Sequence, residues 1–414
     1  MERSYDSART IGRSAQGPLA PHLDAFVSWL VEQRYSGWCA HLKAYRAADF
    51  SAWLGQRHTD MRCADERTIA RYHRERTRGR HRPWRNELYA LRQLLAFLRE
   101  RGIVDAPAAV APVAPAAACV RRFEEHLHHV RGLSAGTVEL YAAYARLFLD
   151  ARFGSGQVKL RDLRAADVIG FVQQQAQRLS PPRAKLLTTA LRSFLSHAQM
   201  CGEVDAGLMA AIPAVASWSV APQLPRAISA EHARAALQAC DRHTAVGRRD
   251  LAVLLLLARL GLRSAEVAAL TLDDLDWSGG LLRVRGKGAR EALLPLPVDV
   301  GQAIAAYLQD GRPAADDRQL FLRSRAPIRG FGNPAVAIGS IVMHALKRAG
   351  VDAPRKGAHQ FRHALAMQLL GGGASLAEIG EVLRHRSPQV TALYARVDLG
   401  ALRELAPCWP GGAA

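Results

Sequence analysis

Apolar residues recur every three or four positions through most of the first 210 residues, and this spacing predicts α-helices. Residues 133–153, LSAGTVELYAAYARLFLDARF, show the pattern well. Ser134 is placed to cap a helix there. The predicted packing positions are Val138, Tyr141, Leu147 and Leu149. We therefore expect this segment to be one helix of a larger bundle.

Two parts of this helical region resemble each other at an offset of 100 residues. LRQLLAFLRERGIV at 91–104 aligns with LRSFLSHAQMCGEV at 191–204, so that Leu-Arg, a later Leu and Gly-x-Val coincide. Upstream, with one insertion, Phe26, Leu30, Arg34 and Ser36 correspond to Phe123, Leu127, Arg131 and Ser134. The similarity predicts two related modules of about four short helices each. Chance similarity between amphipathic helices is the alternative.

Stretches that contain proline divide the chain into three modules. Residues 105–118, DAPAAVAPVAPAAA, carry three prolines and predict a semi-rigid linker. A second irregular stretch runs from about 206 to 228, and its linker is placed at 216–227. The predicted modules are an N-terminal helical module at 1–104, a helical domain at 119–215 and a third domain at 228–414.

The third module has a different pattern. LAVLLLLARLGL at 251–262 predicts a buried helix, because it is apolar on every face. Residues 281–284 and 291–296 flank a Gly-Lys-Gly turn, which predicts a β-hairpin. Helical spacing resumes after about Ala335. The predicted fold class is mainly α, with a small antiparallel β-sheet in the third module.

The net charge of the chain indicates the chemical class of its binding partner. The chain has 56 Lys and Arg against 37 Asp and Glu, a formal net charge of +19. The charge is +8 over residues 1–104, −1 over 105–118, +4 over 119–219 and +8 over 220–414. A single basic tail would concentrate the charge, so we expect several modules to contact a polyanion.

Other features exclude several classes of protein. The six cysteines are scattered with no C-x-x-C pair, which predicts neither a zinc site nor a disulfide framework. Residues 1–16 lack the apolar stretch of a signal peptide. The longest apolar run, 251–258, is far shorter than the roughly 20 residues of a membrane span. We expect a soluble protein of the reducing cytoplasm, without a membrane partner.

The densest basic cluster is RYHRERTRGRHRPWR at 71–85, where seven arginines face one acid, Glu75. Gly79 and Pro83 predict a loop between helices. The loop is either solvated or in contact with the polyanion. Trp84 beside it either packs or stacks on a base.

The third module contains an ordered series of ionisable residues: Arg263, Lys287, His359, Arg362, His363, His385 and Tyr394. Each alone is a weak signal, because such residues are common on surfaces and in cores. Lysine is rare in this chain, at six residues, yet Lys287 lies at the tip of the predicted hairpin. A lysine there indicates a group that must release a proton, which a guanidinium cannot readily do. Tyr394 is the only tyrosine after Tyr307, so it is the one phenolic nucleophile of the last quarter.

The series resembles the tyrosine recombinases, the phage-integrase family of enzymes that break and rejoin DNA. In that family the first Arg follows Gly-Leu and precedes a carboxylate by three residues, as Arg263 precedes Glu266. The lysine lies in an R-G-K-G hairpin, as in residues 285–288. The family pattern His-x-x-Arg-His matches residues 359–363.

The last motif of the family is Leu-Gly-His followed nine residues later by Tyr, and it matches Leu383, His385 and Tyr394. Arg384 stands where the family has Gly, which changes the helix cap or adds a phosphate contact. The resemblance covers residues 226–400 strongly, 119–210 as the family's helical core-binding domain, and 20–104 weakly. It implies two helical SAM-like DNA-binding modules followed by an α+β catalytic domain.

The resemblance implies site-specific recombination, as in integration, excision or transposition, without a metal, a cofactor or ATP. Tyr394 would attack DNA to form a 3′-phosphotyrosyl link with a 5′-hydroxyl leaving group, and two strand exchanges would pass through a Holliday junction. The implied roles are phosphate clamping by Arg263 and Arg362, leaving-group protonation by Lys287, acceptance of the tyrosyl proton by His359 and a phosphate hydrogen bond from His385. Glu266 and His363 would support them.

The implied partner is double-stranded DNA with a specific core site, bound by a tetramer of protomers on synapsed duplexes in the bacterial cytoplasm. The residues we expect to contact DNA are Arg74, Arg78, Arg80, Arg82, Arg285, Arg290 and Arg384. A short amphipathic piece at 399–405 would pack either on a neighbouring protomer or on its own subunit. Two alternatives are a DNA-binding protein that has lost turnover and an enzyme like a type IB topoisomerase.

Overall fold

The computed structural model describes residues 2–77, 87–105, 115–154, 156–205, 207–214, 228–286, 291–353, 357–385 and 387–395. The chain divides into two compact units, one of Asp105–Ala221 and one of Met1–Val104 with Pro222–Ala414. The described residues are mainly helical, with one three-stranded antiparallel sheet. The predicted fold class is confirmed.

The regular elements among the described residues of the first module are all helices. Its helices are α1 (Glu2–Ser14), α2 (Ala20–Glu32), α3 (Gly37–Gln56), α4 (Glu66–Thr77) and α5 (Glu87–Glu100). Helix α3 follows Ser36, whose Oγ accepts a hydrogen bond from Cys39 N at 3.3 Å. Helix α4 continues to Thr77, so residues 71–77 are helical and not part of the predicted loop. Residues 78–86 lie outside the described residues.

The second module is also helical. Its helices are α6 (Pro115–Glu125), α7 (Ala135–Phe153), α8 (Ala165–Ala176), α9 (Pro181–Met200) and α10 (Gly207–Ala210). The last four residues of the predicted linker 105–118 belong to α6. Proline suits the start of a helix, because the first N–H groups of a helix have no acceptor within it. The predicted linker 216–227 lies outside the described residues.

Helix α7 corrects one detail of the predicted packing. Val138 and Leu149 are buried, but Leu147 is 42% exposed and Phe148 takes the core position beside it. Small residues missed by the prediction, Ala142 and Ala145, complete the buried face. Val138, Ala142, Ala145 and Leu149 follow one another at intervals of three or four residues, which is the helical period. Leu147 does not fit this spacing. Ser134 precedes α7 as predicted, but its side chain makes no capping hydrogen bond.

The aligned stretches of the two helical modules end in the same way. Gly102 and Gly202 have φ angles of 68° and 69°, which are left-handed conformations. Ile103 N donates to Leu98 O at 2.9 Å, and Glu203 N donates to Ala198 O at 2.9 Å. Both are helix C-termini closed by a left-handed glycine. The shared geometry supports the internal repeat.

The third module surrounds one buried helix. Its elements are α11 (Ala230–Gln238), α12 (Ala245–Arg259), α13 (Ser264–Ala269), β1 (Leu275–Asp276), β2 (Leu281–Arg285), β3 (Glu291–Pro295), α14 (Val298–Asp310), α15 (Pro334–Arg348), α16 (His359–Gly371), α17 (Leu376–Val382) and α18 (Pro388–Ala395). Residues 251–257 of α12 are all buried, because α11, α14, α15 and α16 pack around that helix. The predicted buried helix is confirmed.

The sheet has the strand order β1-β2-β3, and both strand pairs are antiparallel. Arg283 pairs with Leu293, and Arg285 pairs with Glu291, so β2 and β3 form the predicted hairpin. No helix among the described residues is long and apolar enough to span a membrane.

Two glycines of the second module should respond in opposite ways to substitution by alanine. Gly202 has a positive φ at the end of a helix, whereas Gly170 lies within α8. Gly202→Ala is expected to lower the free energy of unfolding by about 1 kcal/mol, because alanine is strained at a positive φ. Gly170→Ala, within α8, is expected to raise it by up to about 1 kcal/mol through helix propensity. A Cβ atom at either position meets nothing within 4 Å, so packing does not confuse the comparison. Urea denaturation of the full chain tests this, and effects of the same sign would contradict it.

Candidate active site

Arg263 follows directly on the turn that ends the buried helix α12. Gly261 in that turn has a φ of 56°, a conformation that favours glycine. A Cβ atom there would lie 2.7 Å from Cδ2 of Leu383, so a larger residue would displace that side chain. The turn therefore brings the start of α13 against the segment that follows α17.

Glu266 holds both the backbone and the guanidinium of Arg263. Its Oε2 accepts a hydrogen bond from Arg263 N at 2.9 Å, and its Oε1 accepts one from Arg263 Nη1 at 2.6 Å. Burial acts to raise the pKa of Glu266, but the hydrogen bonds from Arg263 and the charge of Arg384 outweigh it and leave the pKa below its ordinary value. Glu266 is therefore ionised at neutral pH and fixes the head of Arg263.

Arg362, in the first turn of α16, is 3% exposed. Its Nη1 donates to the carbonyl of Gly261, and its Nη2 donates to the carbonyl of Leu383. Burial, followed by the charges of Arg263 and Arg384, lowers the pKa of Arg362 to about 10, which leaves it cationic at neutral pH. A guanidinium carries five N–H donors, so these two bonds do not exhaust it.

The two guanidiniums bond to consecutive carbonyls of one loop. Arg362 binds the carbonyl of Leu383, and Arg263 Nη2 donates to the carbonyl of Arg384 at 3.3 Å. This places the two cations side by side on the loop. Adjacent guanidiniums of this kind are suited to bind the non-bridging oxygens of a single phosphate.

Arg384 has a φ of 53°, the left-handed conformation that glycine adopts most readily. Its Nη2 lies 3.1 Å from Oε2 of Glu266, and its Nη1 donates to the carbonyl of Val382 at 3.3 Å. Arg384 therefore keeps the backbone geometry expected of the family's glycine and adds an ion pair within the site. Its expected contact with DNA phosphate stays a prediction.

Two histidines lie near the guanidiniums. Burial and the charges of Arg362 and Arg263 lower the pKa of His359, and they lower the pKa of His385 to about 4. Both imidazoles are therefore neutral at pH 7. Nδ1 of His385 lies 2.7 Å from Oγ1 of Thr391. The sequence reasoning missed Thr391, although its position three residues before Tyr394 places the two on one helix face.

Tyr394 lies on α18 and is 2% exposed. Its hydroxyl oxygen is 2.7 Å from Nδ1 of His363, and its ring is parallel to that of His385, with 6.4 Å between centroids. Burial raises the pKa of Tyr394, and the charge of Arg362 acts in the opposite direction. The structure thus brings together these sequence-predicted residues: Arg263, Glu266, His359, Arg362, His363, His385 and Tyr394.

The remaining predicted residues are only partly described. Lys287 and Arg290 lie outside the described residues, between the end of β2 and the start of β3. Arg285 is tied to Asp274 by an ion pair of 2.8 Å. Arg74 is exposed on α4. The predicted residues Arg78, Arg80 and Arg82 also lie outside the described part of the chain.

Side chains supply the positive charge of this site. The guanidiniums of Arg263, Arg362 and Arg384 surround one buried carboxylate, Glu266. In the part of the chain that the structure describes, no group of three or more His, Cys, Asp or Glu is placed to hold a metal ion. An anionic substrate would relieve the repulsion among the three cations.

Glu266→Gln is expected to lower the free energy of unfolding by about 3 kcal/mol at pH 7, because it leaves buried guanidiniums without their carboxylate. The folded pKa of Glu266 is depressed, so its contribution is present above the ordinary value of 4.5 and is lost as pH falls below it. The difference between wild type and variant should therefore shrink below pH 4.5, as measured by urea denaturation at several pH values.

Glu291→Gln is the matched control, since the side chain of Glu291 is 56% exposed and pairs with Arg285 at 3.4 Å. We expect it to change stability by less than about 1 kcal/mol. Equal losses for the two variants, or a Glu266→Gln loss that does not depend on pH, would contradict the assignment.

Comparison with known proteins gives the same assignment as the site geometry. A sequence model of the phage integrase family matches residues 226–400. The Sinorhizobium fredii protein y4rA, an integrase/recombinase by name, is 48% identical over 97% of this chain and 97% of its own length. Tyrosine recombinase XerD of Corynebacterium glutamicum is 30% identical over 69% of this chain and 94% of its own length.

Solved structures share the fold. The XerH site-specific recombinase bound to a palindromic difH substrate is 19% identical and has a TM-score of 0.54, over 76% of this chain and 94% of that one. A lambda integrase tetramer bound to a Holliday junction is 15% identical and has a TM-score of 0.51, over 76% of this chain and 87% of that one. With the identity to y4rA over nearly the whole length, these findings show that the chain belongs to the phage integrase family and is a tyrosine-type DNA recombinase.

Proposed function

We propose that this site-specific recombinase cuts and rejoins double-stranded DNA at a particular core site through a covalent 3′-phosphotyrosyl link to Tyr394. The observation that carries the proposal is the cluster itself. Arg263 and Arg362 bond to consecutive carbonyls of one loop, and the hydroxyl of Tyr394 lies 2.7 Å from Nδ1 of His363, the residue next to Arg362. A phosphate clamp and a nucleophile are the two parts that the reaction requires.

Arg263 and Arg362 would bind the two non-bridging oxygens of the scissile phosphate. Attack by the phenolate makes the phosphorus pentacoordinate and increases the negative charge on those oxygens. Guanidiniums held rigidly by Glu266 and by backbone carbonyls bind that charge without reorganising. They supply the electrostatic role that divalent cations play in many other phosphoryl-transfer enzymes.

The remaining steps concern the leaving group and the second strand. Lys287 would protonate the departing 5′-hydroxyl, and neutral His385 would donate a hydrogen bond to the phosphate. The phosphotyrosyl link conserves the energy of the broken bond, so a 5′-hydroxyl rejoins the strand without ATP. Two such exchanges between synapsed duplexes, in a tetramer of protomers, would pass through a Holliday junction.

Tyr394→Phe is expected to bind DNA as tightly as the wild type and to form no covalent adduct, because phenylalanine lacks the attacking oxygen. The measurement uses a nicked suicide substrate, from which the free 5′-end is lost so that the adduct accumulates. Denaturing electrophoresis then separates protein-linked DNA from free DNA. An adduct that survives the substitution would contradict the proposal.

The same assay separates the two alternatives. A DNA-binding protein without turnover would leave no adduct even as the wild type. An enzyme like a type IB topoisomerase would relax plasmids that lack any particular site, whereas the proposed function requires a core site.

We propose that the arginines at 78–82 contact DNA phosphates outside the cleaved core. Each phosphate contact contributes about 0.9 to the slope of log affinity against log salt. Replacing Arg78, Arg80 and Arg82 together by Gln should therefore reduce the slope by roughly 2 to 3. Arg13→Gln, on α1, is the control, because Asp24 lies 3.6 Å from Arg13 and already offsets its charge. An unchanged slope for the triple variant would mean that the loop is solvated.

A further inference from the structure

The hydroxyl of Tyr394 is hydrogen-bonded to a histidine that the family resemblance gave only a supporting role. Nδ1 of His363 lies 2.7 Å from the phenolic oxygen, and the two rings are 5.7 Å apart at 61°. His363 follows Arg362 on α16, so the helix that positions the phosphate clamp also carries this contact. On the basis of the proposed function, we propose that His363 is a further catalytic residue, which orients the phenol of Tyr394 and accepts its proton during attack.

The other two histidines are placed differently. His385 has its Nδ1 at 2.7 Å from Oγ1 of Thr391, and its ring lies parallel to that of Tyr394 at 6.4 Å. The ring of His359 is 5.4 Å from that of His363 at nearly a right angle. Burial, followed by the charges of Arg362 and Arg263, lowers the pKa of His359, which makes it a weaker base. The hydrogen-bond geometry thus assigns His363, and neither of the other two histidines, to the nucleophile.

The phenol needs a base at this position. Burial raises the pKa of Tyr394, so the buried hydroxyl holds its proton at neutral pH. A phenol attacks phosphorus effectively as it loses that proton, and general bases in hydrogen-bond contact contribute about 10² to 10⁴ in rate. The 2.7 Å contact is already within the range required for proton transfer.

Cleavage moves two protons and exchanges one bond to phosphorus for another. The O–H bond of Tyr394 breaks and its proton moves to Nδ1 of His363, which requires the neutral tautomer with hydrogen on Nε2. The phenolic oxygen forms a bond to phosphorus, the bond from phosphorus to the 5′-oxygen breaks, and that oxygen takes a proton from the general acid, proposed as Lys287. In rejoining, the imidazolium of His363 returns the proton to the phenol.

A sulfur substitution in the DNA distinguishes the effect of losing the general base from the effect of losing the general acid. When the 5′-bridging oxygen is replaced by sulfur, the leaving group is a thiol with a pKa near 8.5 and departs without a proton donor. Loss of the acid is then tolerated, but the phenol still has to lose its proton. We therefore expect Lys287→Ala to regain most of its cleavage rate on the sulfur substrate, and His363→Ala to stay about 10² to 10⁴ slower than wild type on both substrates.

Two further variants distinguish a loss of catalysis from a folding defect. His363→Gln keeps a polar side chain of similar reach but is not a base, so it should bind DNA like Tyr394→Phe and cleave as slowly as His363→Ala. His344→Ala is the control for loss of a histidine, because His344 lies on α15, near Ser340, and should leave cleavage unchanged. Added imidazole should speed cleavage by His363→Ala and not by Lys287→Ala.

The outcomes distinguish the two levels of the proposal. If the wild type forms no covalent adduct, the proposed function fails. If the wild type forms one and His363→Gln cleaves at the wild-type rate, only the role of His363 is overturned. Recovery of His363→Ala on the sulfur substrate would also overturn it, since that result assigns His363 to the leaving group.

Discussion

Burial of the Arg362 guanidinium is the constraint on which the rest of the site depends. An isolated charge in a protein interior is costly unless hydrogen bonds compensate it. Here the compensation comes from the carbonyl groups of Gly261 and Leu383, which are 101 and 21 residues away along the chain. One side chain therefore joins the end of α12, the start of α16 and the loop after α17. These three segments supply Arg263, the histidines of α16, and the loop that leads to Tyr394.

Burial and an excess of cations over carboxylates together set the protonation state of the site. Burial lowers the pKa of both His359 and His385, and the charges of Arg362 and Arg263 lower it further. Neutral histidines can donate or accept a single hydrogen bond without adding further charge. The same field favours a bound phosphate and, through Arg362, the ionised form of Tyr394. The overall net charge of +19 attracts the whole DNA duplex, whereas the local field of the active site acts on one phosphate.

Much of this could be predicted from the sequence because the relevant signals are local. The buried helix α12 and the hairpin of β2 and β3 depend on neighbouring residues, and the structure confirms both predictions. The active-site residues could be identified from the sequence because their motifs have fixed spacings. The buried positions of α7 could be predicted less well. Leu147 and Phe148 are adjacent apolar residues, and contacts with other helices determine which of the two is buried.

Contacts between distant segments could not be predicted in the same way. The pairing of Arg384 with Glu266 joins residues 118 positions apart, and no local pattern encodes it. The choice between His359 and His363 likewise depends on where α18 packs. Both histidines lie in one motif, one helical turn apart, and only the position of the Tyr394 hydroxyl separates them.

The proposed mechanism requires that Tyr394 becomes covalently linked to DNA. Mass spectrometry of the wild-type adduct, after nuclease and protease digestion, locates the linked residue directly. We expect a nucleotide attached through a 3′-phosphate to the phenolic oxygen of Tyr394. Attachment to any other residue, or the absence of a linked peptide from a reaction that cleaves DNA, would contradict it.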